Sequence, residues 1–192
     1  MEKKYCRAIL LFFVVTLLVG CATPKGATVE DKRNYVLKMK DETLARLYAQ
    51  ESDAKRMIKH AAGYATFSNI NTNLFLVSTA RGYGVVVDNA TGGKTYMKMA
   101  QLGVGPGLGI KDFRAVLIFK NKEVMKEFVE KGWEFGGHAD AAAKSGEKGD
   151  AIGAEAYIDN DIVIYTITEA GAALQATIAG TKYWRSDELN HS

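Results

Sequence analysis

Hydrophobic and polar positions along the chain change their spacing twice. An unbroken apolar run covers Ala8 to Val19, helical spacing follows from Asp31 to about Gly63, and alternation of two takes over from Tyr64 onward. In the helical part, Val36, Leu37, Leu44, Leu47 and Tyr48 gather on one side of a helix from Asp31 to about Gln50, and charges fill the rest. A second, short helix follows, with Ser52 as its cap, Asp53 in its first turn and Gly63 as its stop. At about 100° per residue, Ala54, Met57, Ile58 and Ala61 share one face of it, and Lys55, Arg56 and Lys59 lie almost opposite.

The alternating part reads as strands separated by turn residues. Tyr64 to Ile70 and Leu74 to Thr79 are aromatic and β-branched, with Asn71-Thr-Asn73 between them as a turn signal. Gly82 to Asp88 and Lys94 to Met99 flank a turn at Asn89 to Gly93, and Phe113 to Phe119 is a further strand. Asn121 caps a helix to Lys131 whose Val124, Phe128 and Val129 face inward, and Gly132 stops it. Trp133 to Ala141 returns to period two, and Ala151 to Ile158 pairs with Ile162 to Thr168 around Asp159-Asn160-Asp161. Ile162 to Ile167 is apolar on both faces, which predicts a covered strand. Gly171 to Gly180 reads as another strand, ending in Thr181 to Trp184. The fold class predicted is α+β: an antiparallel, strongly curved or barrel-like sheet with N-terminal helices and one further short helix.

Glycines at 103, 105, 107 and 109 fall on one face of an extended chain. Such a bare face suits a bent strand with another element lying close against it. A phosphate cradle fits poorly, because there is no Gly-x-Gly-x-x-Gly, no Gly-Lys-Ser or Gly-Lys-Thr, and a strand rather than a helix follows.

The N-terminus bears on where this body resides. Lys3, Lys4 and Arg7 precede the apolar run, which is too short to span a bilayer comfortably and has the length of a secretory leader. The run ends in Leu18-Val19-Gly20-Cys21, which resembles a bacterial lipobox, so residues 1–20 are expected to be a lipoprotein signal peptide and Cys21 the acylated N-terminus; the alternatives are an ordinary signal peptide cut near Ala22 or a short anchor helix. Ala22, rather than Asp, after the cysteine implies the outer membrane, periplasmic face. Residues 21–30 then form the lipidated N-terminus and tether, 31–186 a single domain and 187–192 a polar tail. Cys6 leaves with the leader and Cys21 is blocked, so no disulfide and no cysteine metal site is expected.

The full chain carries 25 basic and 22 acidic side chains; losing residues 1–20 removes three basic and one acidic, leaving 22 against 21. A balance of +1 argues against a nucleic-acid binder and leaves membrane attraction to local patches. The patch singled out is Lys55, Arg56 and Lys59, read either as a solvated stripe or as contacts for anionic lipid headgroups. Glu134, His138 and Asp140 share a strand face as a metal or acid–base pair would require, but these are also ordinary exposed residues of an amphipathic strand. No Gly-x-Ser-x-Gly elbow is present, and Ser145 sits in a polar loop without an evident base. The expectation is a non-enzymatic protein with no cofactor and no metal.

Ala62-Gly63-Tyr64-Ala65-Thr66-Phe67, the Gly82-Tyr-Gly-Val-Val-Val strand, the Gly103 to Gly109 stripe leading to Val116-Leu-Ile-Phe119, and Gly136-Gly137 before an alanine-rich segment occur in an order that resembles the SYLF domain. The resemblance covers about Ala62 to Gly180 and identifies the mature chain as similar to bacterial lipoproteins of that family. It implies affinity for anionic lipid, since eukaryotic members bind phosphoinositide-containing membranes and some associate with actin; neither partner belongs to a bacterial envelope. The Gly171-Ala-Ala-Leu-Gln-Ala-Thr segment departs from the glycine-rich end of eukaryotic members. The function expected is an outer-membrane-anchored, periplasmic lipid-headgroup module, membrane-bound through Cys21. The alternatives are a structural or protein-interaction envelope lipoprotein, and a small barrel holding an apolar ligand.

Overall fold

The computed structural model describes residues 24–74, 77–104, 113–134, 156–158, 161–168 and 181–191. The expected leader, Cys21, the glycines beyond Val104, His138, Asp140, Ser145 and the Gly171 to Gly180 segment lie outside the described residues, as does the side chain of Glu134. Among the described residues the fold is α+β, with a curled antiparallel sheet. Its strands are β1 (Gly63–Leu74), β2 (Val77–Asp88), β3 (Lys94–Val104), β4 (Phe113–Phe119), β5 (Trp133–Glu134), β6 (Ala156–Ile158), β7 (Ile162–Thr168) and β8 (Thr181–Arg185). They stand in the order β5-β8-β3-β2-β1-β4-β7-β6. The helices are α1 (Val29–Gln50), α2 (Ala54–His60), α3 (Lys122–Lys131) and α4 (Asp187–Asn190).

Alternation along the strands makes two apolar faces. On one, Phe67, Leu117, Phe119, Ile162 and Ile164 meet Met125 and Phe128 of α3. The rings of Phe67, Phe119, Phe128 and Tyr183 form a continuous aromatic cluster, with centroids 4.6 to 6.2 Å apart. Burial in it pushes the Tyr183 hydroxyl pKa upward. On the other face, Val116, Ile118, Val163, Tyr165 and Ile167 are covered by α1 and α2, and Tyr83, Val85 and Tyr96 by α1 and α4. Strand β7 is buried from Ile162 to Ile167 because both faces are covered, as its apolar run predicts.

Helix α3 follows the sequence reading closely. The Asn121 side chain accepts the Val124 N–H at 2.9 Å, and Gly132 closes the helix at φ +72°, a left-handed conformation that costs glycine little. Met125, absent from the expected inner face, is 5% exposed and packs with Phe128. The helix carries the chain across the inner face from β4 to β5 at the far edge of the sheet.

Four local expectations are corrected. Asn71-Thr-Asn73 is not a turn: these residues lie inside β1, paired with Ala80, Thr79 and Ser78, and the pairing runs on to Leu74 and Val77. Ser52 does not cap α2; Asp53 stands at the N-cap in a helical conformation, makes no capping hydrogen bond and pairs with Arg56 instead. Gly63 does not stop α2, which ends at His60 with Ala61 as its C-cap, but begins β1. Residues 187–190 of the expected polar tail form α4, which buries Leu189 to 1% exposure against the α1 face.

The tether is also shorter than residues 21–30 suggest. Thr28 caps α1 through a reciprocal pair of bonds with Asp31, and Pro24 is already buried. The Thr28 hydroxyl and N–H bonded to the Asp31 carboxylate hold its pKa below the usual carboxylate range.

Close approach explains the glycine at the centre of β2. A Cβ at Gly84 would lie 2.2 Å from the Thr66 carbonyl oxygen and 2.3 Å from the Phe67 ring. Gly84→Ala is expected to lower stability by about 1–3 kcal/mol, because neither the ladder carbonyl nor the packed ring can yield. Urea unfolding of the two proteins side by side measures it; an unchanged midpoint refutes the close-packing account.

Candidate functional site

Two basic surfaces lie on the helical side of the sheet. The first is α2, which is held down by its apolar face and by the turn between β2 and β3. Ala54 and Ile58 are buried, Met57 accepts a hydrogen bond from the Tyr165 hydroxyl at 3.3 Å, and the Asn89 amide donates to the carbonyls of Ile58 and Ala61 at 2.6 and 3.0 Å. Those two bonds satisfy carbonyls that the end of a helix leaves open.

Anchored this way, α2 turns Lys55, Arg56 and Lys59 to solvent, and all three are exposed. Arg56 is bonded to Asp53 at 3.0 Å, in a pair whose side chains are 71% and 72% exposed. So open a pair contributes little and leaves the arginine able to exchange partners. Lys55 and Lys59, one helical turn apart, have no ion-pair partner among the described residues. The sequence-predicted face is therefore brought together as one outward stripe.

The second surface was not expected from sequence. It is a cleft of about 530 Å³ between α1 and the sheet. Tyr35, Lys38, Met39, Glu42 and Arg46 line it from α1, and Ser68, Tyr83, Arg114 and Ile167 line it from β1, β2, β4 and β7, with Lys25 also contributing. The strand residues share a face because Ser68 pairs with both Tyr83 and Arg114, and Arg114 with Ile167. Arg114 reaches across to α1, where it bonds Glu42 at 3.0 Å and the buried Thr43 hydroxyl at 3.3 Å. The available signal was Lys38, Glu42 and Arg46 spaced by four along α1, a polar stripe beside the apolar one.

Among the described residues no helix is long and apolar enough to cross a membrane, and no group of three or more His, Cys, Asp or Glu side chains could hold a metal ion. Of the Glu134, His138 and Asp140 trio, only the backbone of Glu134 is described, paired with Lys182 at the sheet edge.

Comparison with known proteins adds to this geometry. The profile of the family described as Ysc84, Las17-binding protein actin regulator, matches residues 100–192. Beta cell expansion factor A of Aeromonas veronii is 33% identical over 165 residues, which is 86% of this chain. The match covers 61% of that relative, so the chain spans about three-fifths of its length.

Proposed function

The chain belongs to the SYLF-domain family, and from that premise we propose that it is a non-enzymatic lipoprotein, anchored through Cys21 in the outer membrane facing the periplasm, whose domain rests on anionic lipid headgroups. The observation that carries the headgroup contact is α2, which buries Ala54 and Ile58 and presents Lys55 and Lys59 without internal partners among the described residues. Each cation near an anionic leaflet contributes about 1 kcal/mol. That is too little to recruit the protein alone and enough to orient one already tethered. Anionic phospholipid is thus the proposed partner, and no cofactor is needed for binding of this kind.

Vesicle flotation tests the contact with the chain from residue 21 onward carrying Cys21→Ser, which retains every described residue. Lys55→Glu/Lys59→Glu is expected to lower partition onto phosphatidylglycerol-containing vesicles at least tenfold, on the basis of roughly 1 kcal/mol for each cation lost. Phosphatidylcholine vesicles should bind neither protein appreciably. Equal partition of both proteins onto the anionic vesicles refutes the contact.

A second reading, a protein-docking lipoprotein, draws on Trp184, which is 37% exposed on β8 between the exposed Lys182 and Arg185. Tryptophan beside cations is a composition common at protein interfaces. Crosslinking from position 184 in cells favours this reading if a single protein species is captured and Trp184→Ala abolishes its capture.

A further inference from the structure

The cleft between α1 and the sheet has a composition that surface solvation does not require. Cations converge on it from both walls: Lys38 and Arg46 from α1, Arg114 from β4, and Lys25 from the segment before the helix. Glu42 is the single acid among the described residues lining it. Arg114 is drawn inward, with its side chain 20% exposed, and the Glu42 carboxylate partly offsets its charge. With Lys25, Lys38 and Arg46 beside it, the described lining residues hold four cations against one acid, in a concave place where charge interactions exceed those in water.

The remaining wall is apolar and aromatic. Tyr35 and Tyr83 stand 5.6 Å apart in a tilted ring pair, and Met39 and Ile167 line the cleft with them. The volume, about 530 Å³, lies in the range of small-molecule sites and exceeds what a bare ion occupies. The geometry points to a binding site for a phosphate monoester or similar dianion on a small, partly apolar carrier. The anion is held by Arg114 with Arg46 and Lys38, and the carrier lies against Tyr35 and Met39. Guanidinium groups favour phosphate because their planar fork matches two of its oxygens. This site is separate from the α2 stripe and does not depend on membrane contact there. The same chemistry is offered by a soluble phosphate ester or by a phospholipid headgroup.

Amide chemical-shift titration of the Cys21→Ser chain from residue 21 separates the two sources. The probes are inorganic phosphate, glycerol 3-phosphate and monomeric dihexanoyl phosphatidic acid. Shifts centred on residues 35–46, Ser68 and Arg114 with either soluble phosphate assign the site to phosphate compounds in solution. The same shifts with the lipid alone assign it to a headgroup, and both outcomes support the site. Lys38→Gln/Arg46→Gln, which leaves the Arg114 contacts in place, is expected to weaken the tightest probe at least tenfold, roughly the effect of removing one charge-assisted contact. Glu42→Gln removes the opposing carboxylate and is expected to tighten binding by about threefold, which a purely structural role for Glu42 does not predict. Lys55→Glu/Lys59→Glu should leave these affinities unchanged even if it abolishes vesicle flotation. No shift in the cleft with any probe, or equal affinity in the parent and in Lys38→Gln/Arg46→Gln, overturns the proposal.

Discussion

Replacing Cys21 by serine in the full-length chain should move the protein from the membrane fraction to a salt-extractable or soluble one, and abolish incorporation of labelled palmitate. The expectation comes from Leu18-Val19-Gly20-Cys21 at the end of the apolar run. Acyl chains contribute about 0.8 kcal/mol per buried CH₂, so a triacylated cysteine anchors effectively permanently, whereas a single myristoyl chain holds only marginally. Lys55 and Lys59, at about 1 kcal/mol each, cannot replace such an anchor. Fractionation at low and high salt checks this directly. A Cys21→Ser protein that stays membrane-bound through a carbonate wash would show that something other than this cysteine holds it. The fold limits the reach of a domain anchored at this position. Pro24 is buried and α1 begins at Val29. Three peptide steps separate Cys21 from Pro24, at most about 11 Å. An acylated Cys21 would keep the body on the leaflet, with little freedom to extend beyond it.

Phe128→Ala is expected to destabilise the fold severely. Phe128 is fully buried and touches Phe67, Phe119 and Tyr183 at centroid distances of 6.2, 5.1 and 5.5 Å. With Met125 it is one of the two buried residues through which α3 closes the inner face of the sheet, and removing the ring leaves a cavity ringed by aromatic groups on strands. The cost is about 3–5 kcal/mol. Thermal or urea unfolding followed by far-ultraviolet circular dichroism measures it. A loss below about 1 kcal/mol would mean that the aromatic cluster can collapse around the gap. Because Phe128 lies on the face opposite the cleft and α2, any Phe128→Ala protein that still folds should retain both basic surfaces.

Elements whose determinants are local were legible in the sequence. Asn121, the apolar pairs of α3 and Gly132 specify a helix between them, and Asp88 to Gly93 specifies a reversal, with the Asp88 carboxylate accepting the N–H groups of Ala90 and Thr91. The curled antiparallel class followed from many short alternating runs with few helices. Misreadings arose where a tertiary partner overrode local preference. Asn71-Thr-Asn73 has turn composition, but twelve consecutive pairs run through β1 and β2 and hold those residues extended. A single leucine in Asp187-Glu-Leu-Asn190 gives no periodic signal, and only the pocket against Val36 and Tyr96 makes Leu189 an anchor.

The sites divide in the same way. The α2 stripe was visible because one helix carries all three cations, and the structure turns them outward. The cleft needs β1, β2, β4 and β7 brought beneath α1, a register set by pairings between Ser68, Tyr83, Arg114 and Ile167 that lie far apart in the chain. No spacing within one segment encodes that convergence.

The contact between the first helix and the last has its own outcome. Lys32 pairs with Glu188, whose carboxyl is held below the usual range by that bond, and the Arg33 guanidinium donates to the Leu189 carbonyl at 2.9 Å. The Asn190 amide group is bonded to the backbone of Tyr96 on β3 through both its oxygen and its nitrogen. The start and finish of the described chain are thus sewn to each other and to one strand, so the path is close to a closed ring. A gene for residues 24–191 rearranged to begin at Gly92 and end at Thr91, with a short glycine bridge from His191 to Pro24, should still assemble the same sheet, which circular dichroism and urea unfolding would check.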